Sequence, residues 1–243
     1  MPDVRRVLIM ICTYNERENL EQLIPAIRKL VPHADVLVID DNSPDGTGKY
    51  VEELRRNDTQ LHAIHRPGKL GLGTATTAGF QFAIDRQYDL LINMDADFSH
   101  PPRYLPDLLA KADTADVVIA SRYVPGGGME GAGAARQVMS KSLNFYARTV
   151  LGLSTLDNSG SFRCYQVNRL AQVDWSRARA TGYAIEEEIL YRLKCAGATF
   201  TEVPFTYEER RFGHTKLEWK EAFAAGWVLL KLRFSGKNEA IRS

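Results

Sequence analysis

Short, nearly continuous apolar runs recur along this chain: Val7-Leu8-Ile9-Met10-Ile11-Cys12, Val36-Leu37-Val38-Ile39, Leu90-Leu91-Ile92-Asn93-Met94 and residues 116–120. Stretches with helical spacing separate them. A short, β-branched run without polar alternation suits a strand buried on both faces, the condition met by a parallel sheet covered with helices on each side. The alternation therefore restricts the chain to a wound α/β sheet. After the first run, Thr13-Tyr14-Asn15-Glu16 breaks the pattern, and Leu20, Leu23, Ile24, Ile27 and Leu30 then fall on one helical stripe. The second run ends on Asp40-Asp41, followed by the turn residues Asn42-Ser43-Pro44-Asp45-Gly46 and a helix carrying Tyr50, Val51 and Leu54. Residues 61–65 read as a short strand, 71–83 and 104–112 as helices, and 89–94 as a strand.

The second half alternates less regularly. The glycine-rich stretch 126–133 reads as a flexible loop. A helix carrying Val138, Met139, Phe145, Tyr146 and Val150 follows, then a strand over 159–166 and a helix over 185–195. Within that last helix, Glu186-Glu187-Glu188 reads most simply as charge shown to water, with one of the three able to face a cleft. No repeat or low-complexity linker divides the chain. The expected organisation is one domain over 1–218 with an elaborated C-terminal third, and an amphipathic helix and tail over 219–243.

Composition narrows the function classes. With 243 residues, 44% hydrophobic and 25% charged, the chain can bury a substantial core, and its formal net charge of +1 gives no basis for nucleic-acid binding. Cys12, Cys164 and Cys195 are far apart and without CxxC spacing, which points away from a disulfide framework or zinc knuckle and toward a reducing, cytoplasmic setting. The apolar run at 7–12 is too short for a signal-peptide core, and no stretch reaches the roughly 18 apolar residues of a spanning helix.

Two acidic pairs end different strands, Asp40-Asp41 and Asp95-Ala96-Asp97. In a parallel sheet both open onto the C-terminal edge, where α/β proteins bind ligands. Paired acids at a strand end suit a divalent cation, because hard cations take oxygen ligands. Gly68-Lys69-Leu70-Gly71-Leu72-Gly73-Thr74 is either a phosphate cradle at a helix N-terminus or a set of glycines for a tight turn into a helix; P-loop spacing is absent. Arg122, Arg136, Arg163, Arg210-Arg211 and Lys216 are read by default as solvated surface, and those that converge on the acidic edge would suit phosphate. His100 is the one histidine close to the acids.

Taken in order, Thr13-Tyr14-Asn15-Glu16-Arg17-Glu18-Asn19, Asp40 to Thr47, Gly71-Leu72-Gly73-Thr74, Asp95-Ala96-Asp97-Phe98-Ser99-His100-Pro101 and Ser121-Arg122-Tyr123 resemble the family 2 glycosyltransferases. Within that family the likeness is to the dolichol-phosphate (polyprenol-phosphate) mannose synthases. It extends through Gly160-Ser161-Phe162-Arg163, Gly182-Tyr183 and Val203-Pro204 to Arg210, Gly213 and Lys216-Leu217, and so covers nearly the whole chain. The resemblance implies a GT-A fold: a wound, mostly parallel sheet with helices on both faces. It also implies a nucleotide-diphosphate-sugar donor, Mg²⁺ or Mn²⁺, and a polyprenyl or dolichyl monophosphate acceptor. The implied reaction is inverting transfer of a sugar, with mannose from GDP-mannose first and polyprenol-phosphate glucosyl transfer, another family 2 transfer or a non-catalytic nucleotide-sugar-binding subunit as alternatives.

Carried over by position, Tyr14, Glu16, Ile39 and Asp41 would hold the nucleoside. Asp95, Ala96 and Asp97 would meet ribose, diphosphate and metal, with Asp97 the direct metal ligand and Ser99 beside it. Arg122, Arg210 and Lys216 would hold phosphates, and Arg136 the acceptor phosphate. Three places depart from the family pattern and bear on the donor: Cys12 in place of proline, Asn158-Ser159 in place of Leu-Thr, and an acidic 184–188 in place of Val-Phe-Gln-Met-Glu. The QxxRW signature of processive synthases is absent.

A lipid acceptor implies peripheral contact with the cytoplasmic face of a membrane, or a membrane-anchoring subunit. Phe223, Trp227, Leu230 and Phe234, with Lys220, Lys231, Arg233 and Lys237 around them, have the spacing either of an interfacial helix or of a helix that packs on the core or on a partner. A phosphoacceptor receiver module, the rival suggested by Asp40-Asp41, fails on layout: a full strand-helix unit precedes the acids.

Overall fold

The structure is a computed structural model that describes residues 5–131, 133–180, 182, 184–208 and 229–234. Its first half realises the expected alternation: β1 (Val7–Thr13), α1 (Arg17–Leu30), β2 (Asp35–Asp40), α2 (Thr47–Arg55), β3 (Leu61–His65), α3 (Leu72–Asp85), β4 (Leu90–Asp95), α4 (Leu105–Lys111) and β5 (Val117–Ser121). The second half supplies β6 (Gly128–Met129), α5 (Ala134–Leu151), β7 (Arg163–Gln166), α6 (Val167–Leu170), α7 (Ile185–Cys195), β8 (Phe200–Pro204) and β9 (Thr206–Tyr207). Residues 229–234 are helical, and Leu229 and Leu232 are buried. The rest of the 219–243 segment, including the expected interfacial positions Lys220, Phe223, Trp227 and Lys237, lies outside the described residues.

The seven-stranded sheet runs in the order β3-β2-β1-β4-β7-β5-β8, parallel throughout except that β7 is antiparallel to both β4 and β5. Successive residues of β1 serve opposite faces, as the strand pleat requires. Leu8 and Met10 join one core layer with residues of α3, α5, α6 and α7, whereas Ile9 and Ile11 join the other with residues of α1 and α4. Burial on both faces explains the unbroken apolar runs, each such side chain contributing roughly 1.5–3 kcal/mol.

Chain order reverses between β1 and β4, which is the topological switch point where open α/β sheets bind ligands. Strand register brings Cys12 beside both Ile39 and Asp95, and Thr13 beside Asp40. The two acidic strand ends thus share one edge, as the sequence predicts.

Three expectations change. The strand expected over 159–166 is only Arg163–Gln166, because 157–161 spend their polar groups on side-chain hydrogen bonds instead of a ladder. The glycine stretch 126–133 is not simply a flexible loop: Gly128–Met129 pairs in parallel with Thr206–Tyr207, and Gly127 packs so closely that a Cβ there would stand 2.4 Å from the Ser121 carbonyl oxygen. Glu186, Glu187 and Glu188 are buried, not turned to water, because every residue of α7 from Ile185 to Leu193 is buried.

Candidate active site

The end of β4 leads into a tight turn that presents the acids. Phe98 takes a left-handed conformation (φ 64°), unusual for a bulky residue, and its ring is anchored in the core. This bend brings the Ser99 N–H to Asp97 Oδ1 at 3.0 Å. Ala96, Asp97 and Ser99 are all buried, so the turn is held from beneath. Asp95 points elsewhere: its Oδ1 accepts from Ser161 Oγ at 2.8 Å, and its side chain stays 41% exposed. The two acids therefore separate, Asp95 toward the start of β7 and Asp97 into the turn.

His100 is a positioning residue. Its ring stacks on Phe162 at 4.9 Å and meets the edge of Phe205, and Nδ1 accepts the Asp95 N–H at 3.0 Å. Burial pushes its pKa down, so the ring is neutral with its proton on Nε2. It fixes the backbone of the acidic turn.

The second acidic pair also divides its roles. Asp40 accepts from Thr13 Oγ1 at 3.2 Å and from Ser43 Oγ and N, pinning the loop after β2. Asp41 pairs instead with Arg66 Nη1 at 2.6 Å, both side chains being 10% exposed or less. Burial raises the Asp41 pKa while the Arg66 guanidinium pulls the other way. Arg66 also binds the Gly71 carbonyl oxygen and Thr74 Oγ1, so one guanidinium ties β2 to the start of α3. Sequence reasoning missed Arg66, although its place directly after β3, one residue past the His65 that pairs with Asp40, was a usable signal.

The glycines before α3 have conformational work. Gly71 has φ +94°, and a Cβ on Gly73 would stand 2.0 Å from the Ala180 carbonyl oxygen. This favours the tight-turn reading of the 68–74 stretch. Tyr14 is 40% exposed beside this loop, with Lys69 Nζ 4.7 Å from its ring centroid. Glu16 is half-buried and accepts from Asn19 Nδ2. Ile39 is fully buried in the core, so its side chain is closed to a ligand.

At the end of β5, Arg122 is held by Asp157: Nε to Oδ2 at 2.7 Å and Nη2 to Oδ1 at 2.6 Å, with Ser159 Oγ also on Nη2. Asp157 is fully buried. Burial alone would raise its pKa, but Arg122 outweighs this and the net displacement is downward. Only Nη1 of Arg122 is left without a partner among the described residues. Arg163, read by default as solvated, is instead fully buried, donating to the carbonyls of Glu186 and Asn158. Arg136 bonds the Tyr207 hydroxyl at 3.1 Å and so joins α5 to β9. Arg210 and Lys216 lie outside the described residues.

The start of α7 brings further acids that the sequence did not place. Glu188 is consumed by the Arg179 and Ala180 N–H groups and by Arg192 Nε. Glu186 has Arg163 Nη1 3.1 Å from Oε2 without hydrogen-bond geometry, and neither of its carboxyl oxygens is hydrogen-bonded. Burial pushes Glu186 up to about 8 and Glu187 up to about 7. Burial pushes the Cys12 thiol up to about 12, and the charges of Asp95, Glu186 and Asp41 add to the rise.

No metal cage is built from protein alone: among the described residues, no cluster of three or more His, Cys, Asp or Glu side chains is placed to hold an ion. A cation that brings phosphate oxygens and water with it needs only one or two carboxylates, and Asp97 fits that donor set.

Comparison with known proteins bears on the family and the fold. Residues 8–173 match the family model of Glycosyl transferase family 2. An undecaprenyl-phosphate mannosyltransferase of Micrococcus luteus is 42% identical over 212 residues, 87% of this chain and 87% of that protein. A polyprenol monophosphomannose synthase of Mycolicibacterium smegmatis is 40% identical over 215 residues, 88% of this chain and 81% of that protein. Among solved structures, glucosyl-3-phosphoglycerate synthase from Mycobacterium tuberculosis in complex with Mn²⁺, uridine diphosphate and glucosyl-3-phosphoglycerate superposes with a TM-score of 0.62 at 19% identity, covering 96% of this chain and 80% of that one. With a family match across both acidic strand ends and two relatives at 40% identity or more over most of its length, the protein belongs to glycosyl transferase family 2 and has the GT-A fold its motifs imply.

Proposed function

We propose that this protein transfers mannose from GDP-mannose to a polyprenyl monophosphate, with inversion at the anomeric carbon and in the presence of Mg²⁺ or Mn²⁺. The observation that carries the reading is the buried Asp97 turn at the switch point, with Asp41 following β2 and Arg122 following β5, each one strand removed from β4 in the same sheet. Both relatives named above act on polyprenyl phosphates as mannosyltransferases, which supports the acceptor class and the sugar.

The lipid phosphate oxygen attacks the anomeric carbon as the bond to the nucleoside diphosphate breaks on the opposite face. A phosphate monoester, with a second pKa of about 6, is already anionic at neutral pH and needs no general base. The task of the protein is to orient the two substrates and to stabilise the departing diphosphate. Asp97 would hold the cation, which when bound supplies Lewis-acid stabilisation of that charge. Asp41, Tyr14 and Glu16 would line the nucleoside side, with Asp95 meeting the ribose. Ile39, with its side chain closed off, would act through its backbone. Arg122 offers Nη1 to phosphate, and Asp157 fixes its plane. Arg210, Lys216 and Arg136 belong to the same proposed phosphate-binding set.

No helix among the described residues is long and apolar enough to cross a membrane. Contact with the lipid acceptor is proposed to be peripheral, at the cytoplasmic face.

The test is incubation of the purified protein with polyprenyl phosphate, Mg²⁺ or Mn²⁺ and a panel of nucleotide sugars, with mass analysis of the lipid. A mannosyl-phosphoryl lipid formed from GDP-mannose is the expected product; formation of a glucosyl lipid alone, or of none, contradicts the reading.

A further inference from the structure

The buried ion pair after β2 draws its cation from a loop. Segment 66–71 leaves β3 with the Arg66 N–H on the Asp40 carbonyl oxygen at 2.9 Å, and Asn42 Nδ2 donates to the Pro67 carbonyl oxygen at 3.4 Å. Further along, the Leu70 N–H reaches the Asp41 carboxylate. The Arg66 guanidinium serves both sides of this loop at once. Its Nη1 holds Asp41 Oδ1 at 2.6 Å and the Gly71 carbonyl oxygen at 3.3 Å, and its Nη2 holds Thr74 Oγ1. The Thr74 hydroxyl in turn lies 3.0 Å from the Leu70 and Gly71 carbonyl oxygens. Asp41 is thus clasped by a side chain and by the loop backbone together. The outer side of the same loop is open: Leu70 is 53% exposed, a Cβ on Gly68 would meet nothing within 4 Å, and Lys69 stands over the exposed Tyr14 ring.

Taking two charges out of water is costly, and apolar side chains of similar size would join β2 to α3 at least as well. What a guanidinium adds is a rigid fork that sets the plane of a carboxylate. We propose that Arg66 is the positioning residue of the nucleoside site. It fixes the Asp41 carboxylate and, through Gly71 and Thr74, holds the 67–70 loop beside Tyr14, so that the base and ribose of a nucleoside diphosphate meet a preformed wall. The Asp97 turn follows β4, with β1 between it and β2. Loss of Arg66 therefore weakens the hold on the nucleotide in ground state and transition state alike, which raises KM and leaves kcat unchanged. The assignment rests on the proposed nucleotide-sugar donor, but its test needs no sugar transfer.

Calorimetric titration of the full chain with GDP and Mn²⁺, repeated with UDP, reads the site without turnover. Arg66→Lys keeps the charge and loses the fork, and Thr74→Val keeps the shape and loses the hydroxyl. The first should raise the dissociation constant of the bound nucleotide about tenfold, as for one charge-assisted hydrogen bond, and the second about threefold, as for a neutral one. Both variants should keep the wild-type number of sites per chain. A strut that only supports the fold behaves differently: its loss lowers the number of competent sites and leaves the dissociation constant of the rest unchanged. That pattern overturns the proposal, as does a wild-type dissociation constant in either variant or a wild type that binds neither nucleotide. The expected weakening in a chain that forms no glycolipid would leave the role of Arg66 standing and remove the proposed reaction. A mannosyl lipid formed by Arg66→Lys at the wild-type KM would do the reverse.

Discussion

Glu186 stands where the family pattern has glutamine, and its carboxyl is buried without a hydrogen bond beside Arg163, Asp95 and Glu187. Burial raises its pKa from 4.5 to about 8, with Arg163 pulling down and Asp95 and Glu187 pushing up. The folded chain therefore keeps a proton that the unfolded chain releases between those values. By linkage, that makes stability fall as pH climbs from about 4.5 through about 8. Glu187, raised to about 7, acts in the same direction. Glu186→Gln removes the ionisable group and keeps its shape, so the variant should melt higher than wild type near pH 8 and close to it at about pH 4.5. A melting difference that is the same at both values would show that Glu186 keeps an ordinary pKa. Arg122 and Asp157 illustrate the opposite arrangement, a buried pair whose members satisfy each other, so that removal of either strands a charge. Loss of activity in Arg122→Ala would for that reason report on the scaffold as well as on phosphate.

The elements around the site are placed by close backbone contacts as much as by core burial. α3 begins where Gly73 lies against the Ala180 carbonyl, and the same helix meets β1 where a Cβ on Gly79 would stand 1.9 Å from Met10 Sδ. Gly73→Ala should cost about 1–3 kcal/mol in urea unfolding, because the carbonyl has to shift. Gly68→Ala, with open space around it, should cost almost nothing. Equal midpoints for the two variants would show that the start of α3 is not docked on residue 180. Most of these elements were legible in the sequence because strands buried on both faces are unbroken apolar runs. β7 is shorter than the sequence predicts because 159–161 are small or polar residues whose partners lie elsewhere, among them Asn144 and Asp95. No local spacing reports such partners. The same holds for α7: its three consecutive acids point to different sides of the helix, and only the packing of the whole chain decides that all are enclosed.

For the molecule as a whole, the parallel register of β1, β2 and β4 turns three separate stretches of sequence into one ligand-facing edge. That edge was readable from the paired acids and the order of the motifs. What the sequence left out was how far the charges neutralise one another: Asp41 is taken by Arg66, Arg122 by Asp157 and Arg163 by buried carbonyls, whereas Asp95 keeps an exposed side. The proposed role of Asp97 is to couple a divalent cation to the donor diphosphate. Calorimetric titration of GDP into wild type and Asp97→Asn, with and without Mn²⁺, decides it. Mn²⁺ should tighten GDP binding to the wild type, and Asp97→Asn, melting at the wild-type temperature, should bind GDP equally with or without the ion. Mn²⁺-dependent GDP binding of wild-type strength in Asp97→Asn would contradict it.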